Sequence, residues 1–338
     1  MKVLALSDSL APWHSFWIRF GQYSLNLPWL VSITDNPAEI KTLKSGDRLF
    51  IYRYAPSWGD LTIQLRQIRA QGVVVLSDLD DYLWQANGWN RQRLLGCTRA
   101  LRECDVISCS TPELLQLIRV MFPAARLELL PNTAPKLPNN NNPKAITHPL
   151  RIGWTGAPWT RPDDLTLLKP LASWIVNQPE KLKLVHVGHS DSHMSLAEVL
   201  ELKNPDVVET HPLQSHSNYL KQLDFDIGLA PLAPNNFNYY KSAVKVLEYS
   251  ALGIPWLASR AQPYQELCRE WQWPGRLCAE PMAWIQQLEP LLDPTTRRQE
   301  GQQLQTLCKQ HASYTDGIKR WHRLLLDATS NRNNNSRE

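Results

Sequence analysis

Short apolar runs alternate along the chain with longer stretches in which apolar positions recur every three or four residues. Residues 2–6, 48–53, 73–77, 105–109 and 127–130 are too short for helices and rich in Val, Leu and Ile, so they read as buried strands. Segments 58–70, 91–103 and 112–121 carry the helical spacing between them. Strand and helix in alternation predict a parallel sheet covered by helices on both faces. The pattern then breaks at Asn132-Thr133-Ala134-Pro135-Lys136-Leu137-Pro138, followed by four asparagines and Pro143, a stretch that cannot build a core element. Beyond it the alternation restarts, with strands expected at 151–154, 182–187, 207–209, 226–230, 256–258 and 276–278. A last helix over 315–327 places Ile318, Trp321, Leu324 and Leu325 on one face. The pattern therefore predicts two similar α/β halves, 1–133 and 150–312, joined by a linker at 134–149. A C-terminal helix at 313–328, able to cross back to the first half, and a polar, disordered tail at 329–338 complete the expectation.

Composition narrows the class. The 338 residues are 43% hydrophobic and 20% charged, which suits a soluble protein with two cores. A net charge of +4 is too mild to imply nucleic-acid binding. Six cysteines without a CxxC or Cys/His cluster point to reduced thiols and a cytoplasmic setting. No apolar run approaches the roughly 18 residues that span a bilayer. The apolar start ends at Ser7-Asp8-Ser9, too soon for a signal-peptide core. With no strong amphipathic segment, membrane contact is expected to be peripheral at most, at the inner face. Fourteen tryptophans supply core, and some could form flat walls for a sugar.

Ligands of parallel sheets bind at the carboxyl ends of the strands. In the first half those ends carry Ser7-Asp8-Ser9, Arg53-Tyr54-Ala55 and Asp78-Leu79-Asp80-Asp81. In the second they carry Thr155-Gly156-Ala157, Gly188-His189-Ser190, Pro231-Leu232 and the loop before Lys241. Two facing domains would line one cleft with these loops. In the stretch NNFNYYKSAVKVLEYSALGIPWLAS, Lys241, Lys245 and Glu248 are spaced i, i+4, i+7 and are expected on one helix face, beside a stripe of Val244, Leu247 and Ala251. The ordinary reading of such a face is a solvated ion pair.

The text RIGWTGAPWTRPDDL, then LVHVGH, YLKQLDFDIGLAPL and KSAVKVLEYSALGIPWLAS, resembles the donor-binding domain of GT-B glycosyltransferases. The family in question is glycosyltransferase family 4, with its glycogen-synthase-like and lipopolysaccharide enzymes. In the first half, GVVVLSDLDDYLW, CDVISCSTPELLQLI and LLPNTAP resemble the acceptor half of the same family. The resemblance covers most of residues 1–290 in order and spacing.

It implies two Rossmann-like domains facing a cleft and transfer of a sugar from a UDP- or GDP-sugar to a sugar, lipid-linked or protein acceptor. It further implies retention of configuration and no cofactor or bound metal. Without a metal, charge on the departing diphosphate must be met by cations and helix N-termini. Gly153, Thr155, Gly156, Arg161, His189, Lys241, Lys245 and Glu248 are then the expected donor-binding residues, with Glu248 accepting from both ribose hydroxyls. Asp80, Asp81 and His14 are candidate catalytic groups, since a strand-end carboxylate or the first half's one histidine suits general-base work. Trp13, Phe16 and Trp17 nearby read as core or as an acceptor wall.

The chain departs from the family in two places. Tyr240 occupies the position of the family's first glutamate, eight before Glu248, and Ser7-Asp8-Ser9 stands where a glycine-rich loop is usual. A catalytically silent binding protein of the same fold, or a sugar-nucleotide epimerase, therefore stays open. A dinucleotide oxidoreductase is disfavoured because no GxGxxG follows either first strand.

Overall fold

The structure is a computed structural model that describes residues 1–12, 14–86, 88–137, 149–212 and 214–328. Trp13, most of the expected linker (138–148) and the tail from 329 lie outside the described residues. The chain forms two compact units. The first comprises Met1–Asn132, Tyr240–Ser242 and the chain from Thr315 onward, and the second comprises Thr133–Tyr239 and Ala243–Tyr314.

The first unit is built on strands β1 (Lys2–Ser7), β2 (Leu30–Thr34), β3 (Arg48–Tyr52), β4 (Val74–Leu79), β5 (Val106–Cys109) and β6 (Arg126–Leu129). All pair in parallel, in the order β2-β1-β3-β4-β5-β6. Every residue of β4 and β5 is buried, as a sheet covered on both faces requires. The sequence pattern does not show β2. It is an edge strand whose first residue, Leu30, is 69% exposed, so it carries neither the alternation nor the apolar run of a covered strand. The helix expected at 58–70 is interrupted at Gly59, whose φ of 67° breaks it into a turn at Pro56–Trp58 and a helix at Thr62–Ala70. The other two helices run Arg91–Arg102 and Pro112–Met121, each opened by a side-chain cap from Asn90 or Thr111.

The last helix, Tyr314–Asp327, packs into this unit. Trp321 is buried, meets the edges of Phe20 and Phe50 at 4.9 and 5.1 Å, and donates its indole N–H to the Arg19 carbonyl at 2.8 Å. The Arg19 side chain is itself 2% exposed and grips the fully buried Asp78 through two hydrogen bonds of 2.7 and 2.6 Å. Asp78, the first acid of the Asp78-Leu79-Asp80-Asp81 run, is therefore structural.

The second unit repeats the plan with β7 (Leu150–Thr155), β8 (Leu182–His189), β9 (Val208–Pro212), β10 (Ile227–Ala230), β11 (Trp256–Ser259) and β12 (Leu277–Cys278). The parallel order is β9-β8-β7-β10-β11-β12, the doubly wound arrangement of a Rossmann domain. One face packs on Val185, Phe225, Tyr249 and Trp256, the other on Ile152, Leu184, Leu229 and Trp284. The strand order reverses between β1 and β3 in the first sheet and between β7 and β10 in the second. Open α/β sheets bind ligands outside the carboxyl ends at such switch points.

Candidate functional site

In the second unit, the end of β7 brings Gly153, Thr155, Gly156 and Lys245 of the expected donor residues together. Gly153 pairs with Gly228 of β10, and a Cβ on Gly153 would lie 2.1 Å from the Phe225 ring, so its glycine is a packing requirement. Gly188 answers a second close approach, since a Cβ there would meet the Gly156 carbonyl oxygen at 2.4 Å. That carbonyl also accepts a hydrogen bond from His186 Nε2 at 2.9 Å. His186 is fully buried and stacks on Trp154 at 5.3 Å, and its burial lowers its pKa to about 4, so it holds the loop as a neutral ring.

The helix Val244–Ala251 follows β10 and presents Lys245 and Glu248. Lys245 donates to the Thr155 carbonyl and lies 5.3 Å from the Trp154 ring centroid. Glu248 is 3% exposed, so it is no solvated face. Its Oε2 accepts from the Tyr219 hydroxyl at 2.8 Å. Its Oε1 is shielded from solvent, has no hydrogen-bond partner, and lies 3.9 Å from His216 Nε2. Tyr219 and His216 belong to the helix His216–Gln222 beyond β9, and the sequence did not mark either. The reason is that a His-x-x-Tyr pair at a helix start has no distinctive spacing.

Arg161 follows a short turn, Pro158–Thr160, and sets its guanidinium 4.9 Å over the Phe237 ring. His189 closes β8 with Nε2 3.0 Å from Asp191 Oδ1, while its Nδ1 is buried without a hydrogen-bond partner. Asp164 and Asn238 are also buried. Asp164 Oδ1 accepts from the Ala233 N–H at 2.7 Å and the Asn238 amide at 2.6 Å, which fixes the loop after β10.

Lys241 is not on the helix face expected from its spacing. The helix begins at Val244, and Tyr240–Ser242 belongs to the first unit. Thr111 donates its hydroxyl to the Tyr240 carbonyl at 3.1 Å, the Tyr240 ring meets Tyr82 at 5.1 Å, and the Asn132 amide donates to Ser242 Oγ at 2.6 Å. Lys241 Nζ pairs with Asp81 Oδ1 at 3.1 Å.

That pair joins a charged cluster at the carboxyl ends of β1, β3 and β4. Arg53 Nη2 reaches Asp80 at 3.3 Å and Asp81 at 3.4 Å. The Tyr52 hydroxyl lies 2.7 Å from Asp80 Oδ2 and 2.8 Å from Ser15 Oγ. Asp80 and Asp81 are thus already engaged by cations and a phenol. Arg53 holds a φ of 60°, a left-handed conformation that a long side chain adopts only under constraint. Asp8 pairs with Arg93 and lies 3.4 Å from His14 Nε2. Burial raises the Asp8 pKa to about 6 against the pull of Arg53 and Arg93, and burial together with Arg53 lowers that of His14 to about 4. Arg93 stacks on Trp89 at 4.0 Å. Asp8 was legible only as a strand-end residue. Its place among Arg53, Arg93 and His14 comes from strands distant in sequence. Phe16 is buried and Trp17 half-buried.

Among the described residues no group of three or more His, Cys, Asp or Glu is arranged to hold a metal ion, and no helix is long and apolar enough to cross a membrane.

No family model and no curated protein sequence matches the chain. Solved structures do. HepE from Anabaena, solved in complex with UDP, superposes with a TM-score of 0.63 at 13% identity, covering 97% of this chain and all of that one (100%). The N-terminal domain of the Candida albicans trehalose-6-phosphate phosphatase gives 0.65 at 10% identity, over 97% of each chain. TarM of S. aureus, solved with UDP and alpha-GlcNAc-glycerol, gives 0.62 at 13% identity, over 85% of this chain and 57% of TarM. The chain therefore has the fold of the GT-B glycosyltransferases, with two Rossmann-like sheets.

Proposed function

We propose that this GT-B chain moves a sugar from a UDP- or GDP-sugar to an acceptor hydroxyl without a metal ion. The observation that carries the reading is Glu248: a buried carboxylate near the second sheet's switch point, with one oxygen held by Tyr219 and the other unpartnered. A buried carboxylate oxygen left unbonded is costly unless a ligand donor reaches it, and the ribose of a nucleotide offers such donors. In this reading the structural partner on Oε2 leaves Glu248 one oxygen for the nucleoside. Arg161 and Lys245 face the diphosphate, where negative charge grows as the glycosidic bond breaks. Solved neighbours with UDP bound support a nucleoside-diphosphate donor.

The first unit would take the acceptor, with Asp8, His14, Arg53 and Asp80 around its switch point. Retention of configuration rests on the family resemblance alone. Tyr240, at the family's first-glutamate position, brings no carboxylate and is tied to Thr111 and Tyr82. That substitution is what favours a second reading, a silent GT-B protein that binds donor or glycan without turnover.

Incubation with a panel of UDP- and GDP-sugars, followed by release of nucleoside diphosphate, tests both. One donor should be hydrolysed or transferred. Binding without release would support the silent protein, and neither binding nor release for any donor would overturn the proposal.

A further inference from the structure

The second unit holds two buried polar atoms that face each other without bonding. Glu248 Oε1 and His216 Nε2 are 3.9 Å apart, both are shielded from solvent, and neither has a hydrogen-bond partner. Their side chains are 4% and 13% exposed. The gap is too long for a direct hydrogen bond and suited to a shared third atom. An oxygen at about 2.8 Å from each is an ordinary hydrogen-bonding geometry. With His216 in the Nε2–H tautomer, that oxygen donates to the carboxylate and accepts from the imidazole N–H. A hydroxyl does both at once, whereas a carbonyl, an ammonium or a phosphate oxygen does only one. The other half of the carboxylate is already spoken for, since Tyr219 donates to Oε2 at 2.8 Å and its ring lies nearly parallel to that of His216 (23°) at 6.2 Å.

We propose that His216 and Glu248 form a paired recognition site for a single ligand hydroxyl, with His216 as a further binding residue and as the gate to it. Because both atoms are closed off, the hydroxyl enters as the His216 ring, at the start of its helix, turns aside and then closes on it. The inference rests on the donor reading above and sharpens it: Glu248 does not serve both ribose hydroxyls equally. One of them bridges Oε1 and Nε2, and the other has no claim on Oε2. The site therefore selects a ribonucleotide through one particular hydroxyl.

The test is calorimetry of UDP and GDP, with their 2′-deoxy and 3′-deoxy forms, on the parent, His216→Ala and His216→Gln. One deoxy analogue should bind the parent roughly tenfold more weakly, the scale of one good hydrogen bond to a charged group, and the other should bind nearly as the ribonucleotide does. His216→Ala should weaken the ribonucleotide and shrink the discrimination without abolishing it, because the hydroxyl then keeps only its bond to Glu248. His216→Gln, which keeps a donor, should restore part of it. Ribonucleotide binding unchanged in both variants, or equal penalties for the two deoxy forms, would overturn the His216 assignment while leaving the donor reading in place. A bridging water only would show as parent binding that ignores both deoxy changes. No binding of either nucleotide to the parent would overturn the donor reading and this inference together.

Discussion

Glu248→Gln separates a ligand-binding carboxylate from a structural one, because the two predict opposite signs. Gln keeps the length and one carbonyl oxygen, so the Tyr219 hydroxyl can still donate to it. The variant also relieves the burial of a charge in a side chain that is only 4% exposed. Stability should therefore stay within about 0.5 kcal/mol of the parent or rise. Affinity should behave otherwise. A hydrogen bond to a charged group contributes about 1.5–3 kcal/mol, so loss of the anion should raise Kd for a nucleoside diphosphate by roughly ten- to 150-fold. Tyr219→Phe is the control. It strands Oε2 and should cost about 1–3 kcal/mol of stability, because the acceptor left without a partner is a buried carboxylate. Denaturant titration gives the first quantity and calorimetry with UDP or GDP the second. If Glu248→Gln unfolds at markedly lower denaturant and binds nucleotide as the parent does, the carboxylate is structural and the donor site lies elsewhere.

Arg19→Ala should cost about 3–5 kcal/mol in a denaturant titration, because it leaves Asp78 buried and unpaired; Arg19→Met with Asp78→Leu should cost less than the single change. Lys241→Ala and Asp81→Asn should be non-additive in stability by about 0.5–1 kcal/mol, and additivity would show that the ion pair contributes nothing. His186 titrates near 6.5 when unfolded and about 4 when folded, so the unfolded chain binds the extra proton first and stability falls as pH drops through that window. At 1.36 kcal/mol per pH unit the His186 share of the loss is about 3 kcal/mol; His14 adds to it and Asp8, raised to about 6, opposes it, so the share is read as the difference between the parent and His186→Gln in titrations between those pH values. Chelation should leave donor turnover nearly intact, and a strict requirement for manganese or magnesium lost in Asp80→Ala would refute the metal-free reading.

Much of the fold was legible because its strands announce themselves. Strands covered on both faces, such as β4 and β5, read as unbroken apolar runs, and helices such as Pro112–Met121 carry their own caps. What escaped depends on exposure or on distance in sequence. The edge strand β2 shows no pattern because its first residue faces solvent and the rest are mostly half-buried. Asp8, His216 and Tyr219 gain their meaning from partners on other elements: Arg93 lies 85 residues from Asp8, and Glu248 lies 29 from Tyr219. No periodicity within one segment can report such a pairing.

Lys241 shows how a correct spacing gives a wrong place. An i, i+4, i+7 set shares a face only if the helix already runs at its first member, and the start of a helix is what periodicity reports least well. Ser242 is the residue type that caps a helix, yet its hydroxyl accepts from Asn132, and Ala243 opens the helix at Val244 with no side-chain cap. Tyr240 and Lys241 are held by Thr111 and Asp81. The cations that looked like neighbours therefore serve different ends. Lys245 secures the Thr155 carbonyl at the end of β7, and Lys241 balances the carboxylates that follow β4. Substituting one for the other in a mechanism would misassign a charge: a diphosphate near Thr155 would meet Lys245, whereas Lys241 answers to Asp81 and, through it, to Arg53 and Asp80.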